Sequence, residues 1–175
     1  MVDLFNKKSA IISDCGAYRY RLNRRWFAEN RFGVLFIMLN PSTADADIDD
    51  PTVRRCTGFT RSWGYGGFGV VNLFAYRATD PSELMVAADP VGPQNDAHIQ
   101  DALAHCDFVV CAWGANKVAD RRAGEVLRLI RDWNKIPHCL DITKSGAPKH
   151  PLYVKGSATP SVYSSPNRTE NGDDK

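Results

Sequence analysis

Val34-Leu-Phe-Ile-Met-Leu-Asn40, followed at once by Pro41-Ser42-Thr43, is the stretch that decides the fold. Six residues without a charge or a turn former read as a strand buried on both faces. A central parallel strand lacks the polar alternation of a half-exposed one. Pro41 cannot donate to a ladder and holds Asn40 in an extended or turn conformation. A polar amide is thereby set at the carboxyl end of a central strand, where open α/β sheets keep their ligand crevices.

Outward from this strand the chain alternates. Asp50-Pro51 reads as a helix start, a capping carboxylate followed by proline at the first helical position. Val53, Cys56, Thr60 and Trp63 then share one face, and the glycines from Gly64 to Gly69 end the helix. Phe68 to Ala75 is a second strand candidate, and a polar, proline-containing loop runs from Tyr76 to Gln94. A helix is expected from about Asn95, with Ile99, Ala102, Leu103 and Cys106 at i, i+3, i+4 and i+7. Phe108 to Gly114 is the third strand, Ala123, Val126, Leu127 and Ile130 mark the next helix, and His138 to Ile142 is a short fourth strand. This alternation predicts a three-layer α/β/α sandwich around a central, mainly parallel four-stranded sheet. Residues from Ala10 to Trp26 form an added hairpin or edge ribbon, with Tyr18, Tyr20 and Leu22 at period two. One α/β domain over residues 1–155 is expected. From Gly156 to Lys175, Ser, Pro, Asn, Thr and Asp dominate, which predicts a disordered tail.

At 175 residues and 43% hydrophobic, the chain fits one globular domain. Its net charge of +2 is too mild to imply nucleic-acid binding by itself. No stretch approaches the roughly 20 apolar residues of a membrane span, and Met1 to Lys8 has no apolar signal-peptide core. A cytoplasmic protein without a membrane partner is expected. The five cysteines form no CxxC pair, so reduced thiols are expected, and neither a metal nor a cofactor. Cys56, Cys106, Cys111 and Cys139 fall in predicted helices or strands, where a buried thiol behaves as a small hydrophobe.

Gly64-Tyr-Gly66-Gly67-Phe-Gly69 spells GxGxxG, but it ends a helix and precedes a strand, the reverse of a dinucleotide fingerprint. Asp45-Ala-Asp47-Ile-Asp49-Asp50 begins like a calcium loop, yet its sixth position is Asp50 and its twelfth Cys56. A solvated acidic loop with one helix cap accounts for it, with a magnesium site shared with a phosphate ligand as the alternative. Arginines 19, 21, 24, 25 and 31 interleave with Tyr18, Tyr20, Trp26 and Phe27, a pattern suited to nucleic-acid backbone and stacked bases, or equally to a charged ribbon whose aromatics pack inward.

Four features converge on one rim. Asn40 closes the first strand; Asn72, followed by Arg77, lies in the second; Trp113-Gly114 closes the third; His150-Pro151 follows the fourth. The carboxyl ends of parallel strands share one edge, so these groups can meet although far apart in sequence. Amides present a donor and an acceptor together, and a histidine can donate to a developing anion.

Met38 to Asp45, Asp49 to Cys56, Val71 to Thr79, Gly92 to Asp96 and His150 to Tyr153 resemble an uncharacterised bacterial and phage family, domain of unknown function 1643, across roughly residues 9–155. More distantly, the layout resembles the uracil-DNA glycosylase superfamily. Asn40-Pro41 is similar to the Asn-Pro of its water-activating motif, Asn72 to its base-reading asparagine, Trp113-Gly114 to a third-strand ending, and His150-Pro151 to the His-Pro of its last motif. Met38 and Leu39 depart from the glycine and following residue of the first motif, and Leu152-Tyr153 from the Ser-Pro of the last.

This resemblance implies a glycosylase-like hydrolase acting on a nucleobase in a nucleoside or nucleic acid. Asn40 and His150 would be catalytic, and Pro41, Ser42, Asn72, Arg77 and Trp113 would bind substrate. Arg24, Arg25, Arg54 and Arg55 would contact the nucleic-acid backbone. The alternatives are a non-catalytic module binding a nucleotide or modified base, and a phage or host interaction protein without catalysis.

Overall fold

The computed structural model describes residues 7–27, 32–42 and 48–166. The acidic stretch 45–47, Arg31 and the last nine residues of the expected tail lie outside the described residues. Seven strands form one sheet: β1 (Lys7–Ile12), β2 (Arg19–Arg25), β3 (Phe32–Met38), β4 (Gly67–Asn72), β5 (Cys106–Cys111), β6 (Pro137–Cys139) and β7 (Ser161–Val162). Helices α1 (Pro51–Ser62), α2 (Asn95–His105) and α3 (Ala119–Asp132) make the crossovers. The spatial order is β1-β2-β4-β3-β5-β6-β7, with β4-β3, β3-β5 and β5-β6 parallel and the other three pairings antiparallel.

The apolar run of β3 explains the layering. Val34, Phe36 and Met38 pack with Val53, Cys56 and Phe59 of α1 on one face. Leu35 and Ile37 pack with Ile99 and Leu103 of α2 and with Val126 and Ile130 of α3 on the other. Every residue from Val34 to Ile37 is fully buried, as two covered faces require. The mixed α/β character therefore follows from the strand–helix alternation, with Asp50 capping α1 through Val53 N at 2.7 Å and Pro51 in its first turn.

The sheet is wider than the four strands expected, and half of its pairings are antiparallel. On one side the N-terminal hairpin joins β4 through β2; on the other, β7 pairs with β6. Both additions cover backbone donors and acceptors that a four-stranded sheet would leave open at its edges. Segment 156–166 is correspondingly ordered rather than part of a disordered tail: Tyr163 is buried and donates to Gly146 O at 3.1 Å. The loop after β4 also holds a 3-10 turn, Pro81–Met85, closed by a reciprocal Asp80–Glu83 cap and anchored by buried Leu84.

Two local irregularities mark the pairings of β2. Gly67 lies where β2 crosses β4 so closely that a Cβ would sit 2.6 Å from Arg24 O, which excludes a side chain. Between Ile11 and Ile12 the β1–β2 register shifts by a bulge. Period two would place Tyr20 and Leu22 on the same face. Instead Leu22 joins the α1 side, while Tyr20 stacks on His98 of α2 at 4.7 Å. Arg21 also points to α2 and pairs with Asp101 at 2.6 Å. The extra residue turns two successive side chains to α2 and sends Arg19 back toward the rim.

Candidate functional site

Strands β4, β3 and β5 end together, and a cleft of about 530 Å³ opens beyond their carboxyl ends. Asn40, Ser42, Asn72, Trp113 and His150 all line it, so five of the seven residues expected to hold or process a ligand meet there. Pro41 is buried and does not line the cleft. Arg77 does not line it either: its guanidinium donates to Gly16 O at 3.1 Å, which ties the loop after β4 to the first hairpin.

Asn40, Asn72 and His150 are set in place by the backbone around them. Leu73 N and Phe74 N donate to Met38 O and Leu39 O, carrying the β3–β4 pairing past the regular strands to Asn40. The Asn40 Nδ2 then donates to Ala78 O at 2.8 Å and to Pro41 O at 3.2 Å. With the amide nitrogen clasped, Oδ1 is the atom left for a ligand or water. Asn72 is 3% exposed, and among the described residues its side-chain amide has no hydrogen-bond partner. Behind it, Asn95 Nδ2 donates to Asn72 O at 3.0 Å and Leu73 O at 3.1 Å, and Arg122 Nε donates to Leu73 O at 2.9 Å. The Gly92-Pro-Gln-Asn95 stretch thus braces the backbone that presents Asn72.

His150 caps the short turn Pro151–Tyr153, its Nδ1 accepting from Leu152 N at 3.3 Å. An accepting Nδ1 leaves the proton of the neutral ring on Nε2. Burial lowers the pKa of His150 below the ordinary histidine value, against the opposing pull of Asp50. Arg55 of α1 donates to Pro151 O and Val154 O and lies over the Phe59 ring at 5.1 Å. It fixes the His150 turn rather than reaching for a phosphate. Gly114, with φ +77°, lets the chain after β5 reverse beside the His150 Cβ, 3.9 Å from where a Cβ would stand.

The other expected backbone contacts are differently used. Arg24 is 3% exposed and bonds Asp49 through Nε at 2.8 Å, a carboxylate that Lys8 also meets at 3.1 Å. Burial opposes ionisation of Asp49, but these two cations outweigh it and hold the carboxyl below its usual range. Arg54 is exposed and donates to Asp49 O, and Arg25 is half-buried.

Two charged cleft residues escaped the sequence reading. Arg19 is buried, and burial lowers its pKa to about 10 while Asp50 raises it. Asp50 was read as a helix cap in an acidic loop, yet it lines the cleft and its charge reaches both Arg19 and His150. No periodicity betrays Arg19, because the bulge that turns it inward leaves no mark in composition. The four cysteines of the predicted elements are all buried, and Cys15 is exposed. Among the described residues no group of three or more His, Cys, Asp and Glu is placed to hold a metal ion, and no helix is long and apolar enough to cross a membrane.

Because His150 binds its proton more weakly folded than unfolded, the unfolded chain takes up that proton first as pH falls below about 6.5. His150 should therefore be neutral throughout neutral pH, and its contribution to stability should decline only on the acid side. In an NMR titration its Cε1–H resonance should move below the ordinary histidine midpoint; a midpoint at or above 6.5 would contradict the burial account.

Comparison with curated proteins and with solved structures gives no match. A family model does match, described as "Protein of unknown function (DUF1643)", over residues 19–152, a span that holds β2 through the His150 turn and every side chain of the cleft up to Leu152. The chain belongs to the DUF1643 family.

Proposed function

We propose that the cleft receives a nucleobase and that the protein is a glycosylase-like hydrolase of a nucleoside or nucleic-acid base. The observation carrying this reading is Asn72: a residue 3% exposed that lines the same cleft as Asn40 and His150, its side-chain amide without a hydrogen-bond partner among the described residues. An amide that faces a cleft keeps a donor and an acceptor for a ligand, and a base edge offers their complements side by side. The parallel run β4-β3-β5-β6, with these residues at its carboxyl rim, supports a likeness to the uracil-DNA glycosylase layout.

In this reading Asn40 Oδ1 accepts a hydrogen bond from water and aims it at C1′ of the sugar. The C1′–N bond breaks with its electron pair passing to the base, which leaves as an anion accepting from His150 Nε2–H. The proton lost by the water then neutralises the base, giving a free base and a sugar hydroxyl. A neutral histidine donor suits an anionic leaving group without first needing protonation.

The test is incubation with a panel of modified-base oligonucleotides and nucleosides, followed for free base and abasic product. Saturable binding without product would instead mark a base-binding module. Asn72→Ala should weaken ligand binding by roughly 5- to 150-fold, equivalent to about 1–3 kcal/mol for a paired amide contact. Its melting temperature should barely change, since the amide bonds nothing described in the protein. Unchanged affinity in that variant would remove the base-reading role.

A further inference from the structure

A second concavity, of about 720 Å³, opens off the first. Trp113, Ala115 and Asn116 line both, so the two adjoin at the end of β5. Beyond Asn116 the walls change character. Lys117, Arg121 and Arg128 line it from the α3 side, and Ser145, Gly146 and Ser165 from the other. Asp120 is the one carboxylate lining it among the described residues. Arg121 is drawn to Glu125 at 3.3 Å, whereas the side chains of Lys117 and Arg128, both exposed, make no ion pair or hydrogen bond with any described residue.

This contrasts with other arginines of the domain. Arg24 is spent on Asp49, Arg55 on two carbonyls, and Arg122 on Leu73 O, Asp96 and Glu125. Uncommitted positive charge contiguous with the cleft is therefore found on the α3 wall. Solvated cations that hold nothing in the fold are free to replace the counterions of a phosphate chain. The space exceeds what one phosphate needs, and Lys117, Arg121 and Arg128 with the Ser145 and Ser165 hydroxyls offer donors to a sugar-phosphate backbone, beside the Trp113 and Tyr163 rings.

Resting on the base-cleft reading above, we propose that the ligand is single-stranded nucleic acid. The base enters the Asn72 cleft, and the flanking sugar-phosphate chain runs through the α3 groove against Lys117 and Arg128. These two residues position by charge and read no sequence.

The test is fluorescence anisotropy of the full chain with a labelled single-stranded oligodeoxynucleotide of mixed sequence across a salt series. Lys117→Ala with Arg128→Ala should weaken binding to all sequences alike and flatten the slope of log K against log salt by about 1.4, the value for two lost phosphate contacts on a single strand. Both side chains are exposed, so circular dichroism and the melting temperature should stay at wild type. Free nucleoside binding should be untouched by the double variant and weakened by Asn72→Ala. An unchanged slope and affinity in the double variant would overturn the groove, and so would a wild-type chain that binds no oligonucleotide. Loss of affinity for a nucleoside 5′-monophosphate as large as that for the oligonucleotide would overturn the strand and leave a single-phosphate pocket. Groove-dependent oligonucleotide binding that ignores Asn72→Ala would keep the groove and remove the base-cleft reading instead.

Discussion

Phe36→Ala is expected to lower the unfolding free energy by about 3–5 kcal/mol, the range for truncating a fully buried phenylalanine. Phe36 is fully buried at the centre of β3, between the Trp63 ring at 6.2 Å and the Phe68 ring at 5.7 Å, the latter edge-on. It therefore joins α1 to two neighbouring strands, and nothing around it can collapse without moving the sheet. The loss adds the transfer of an aromatic ring to the cavity left behind. For a domain of this size it should appear as a melting temperature lower by roughly 6–20 °C. Chemical denaturation measures it directly, with Val86→Ala, at 85% exposure, as a control expected to stay within about 0.5 kcal/mol. A loss below about 1.5 kcal/mol for Phe36→Ala would mean that this face of β3 is not packed as described.

The same strand shows why so much was readable from residues alone. Val34 to Met38 carries no polar position, so both faces had to be covered and helices had to lie on each side. Once β3, β4 and β5 are parallel, Asn40, Asn72 and Trp113 share an edge by geometry, whatever their distance in sequence. What escaped was not written in periodicity. β7 is a two-residue pairing, Ser161–Val162, set in a polar segment whose composition resembles a tail. Arg24 sits among aromatics and Arg55 beside a second arginine, so both look available, but their partners are a distant carboxylate and two backbone carbonyls. A sequence does not say which carbonyl a guanidinium will meet. Arg19 reaches the cleft only because one extra residue in β2 reverses the alternation. The apolar pattern gives layers and rim; the charges that furnish the rim depend on local departures from that pattern.

Asn40→Ala is expected to reduce base release by about 10²–10³, or roughly 2.7–4 kcal/mol, the scale for losing one preorganised polar group aimed at a reacting atom. Two functions of the side chain must be separated. Nδ2 clasps Ala78 O and Pro41 O and so holds the loop, while Oδ1 remains for water. Losing the clasp alone should cost about 1–2 kcal/mol of stability, because part-buried carbonyls lose their donor. Asn40→Asp resolves the two, since a carboxylate keeps an acceptor oxygen but cannot donate to either carbonyl. If Oδ1 orients the water, the aspartate variant should lose stability as the alanine variant does yet retain clearly more turnover, measured well below both melting temperatures. If the clasp is all that matters, the two variants should fall together in turnover as in stability. Undiminished turnover in Asn40→Ala would remove Asn40 from the chemistry altogether, leaving it as the residue that locks the first strand's end to the loop beyond β4.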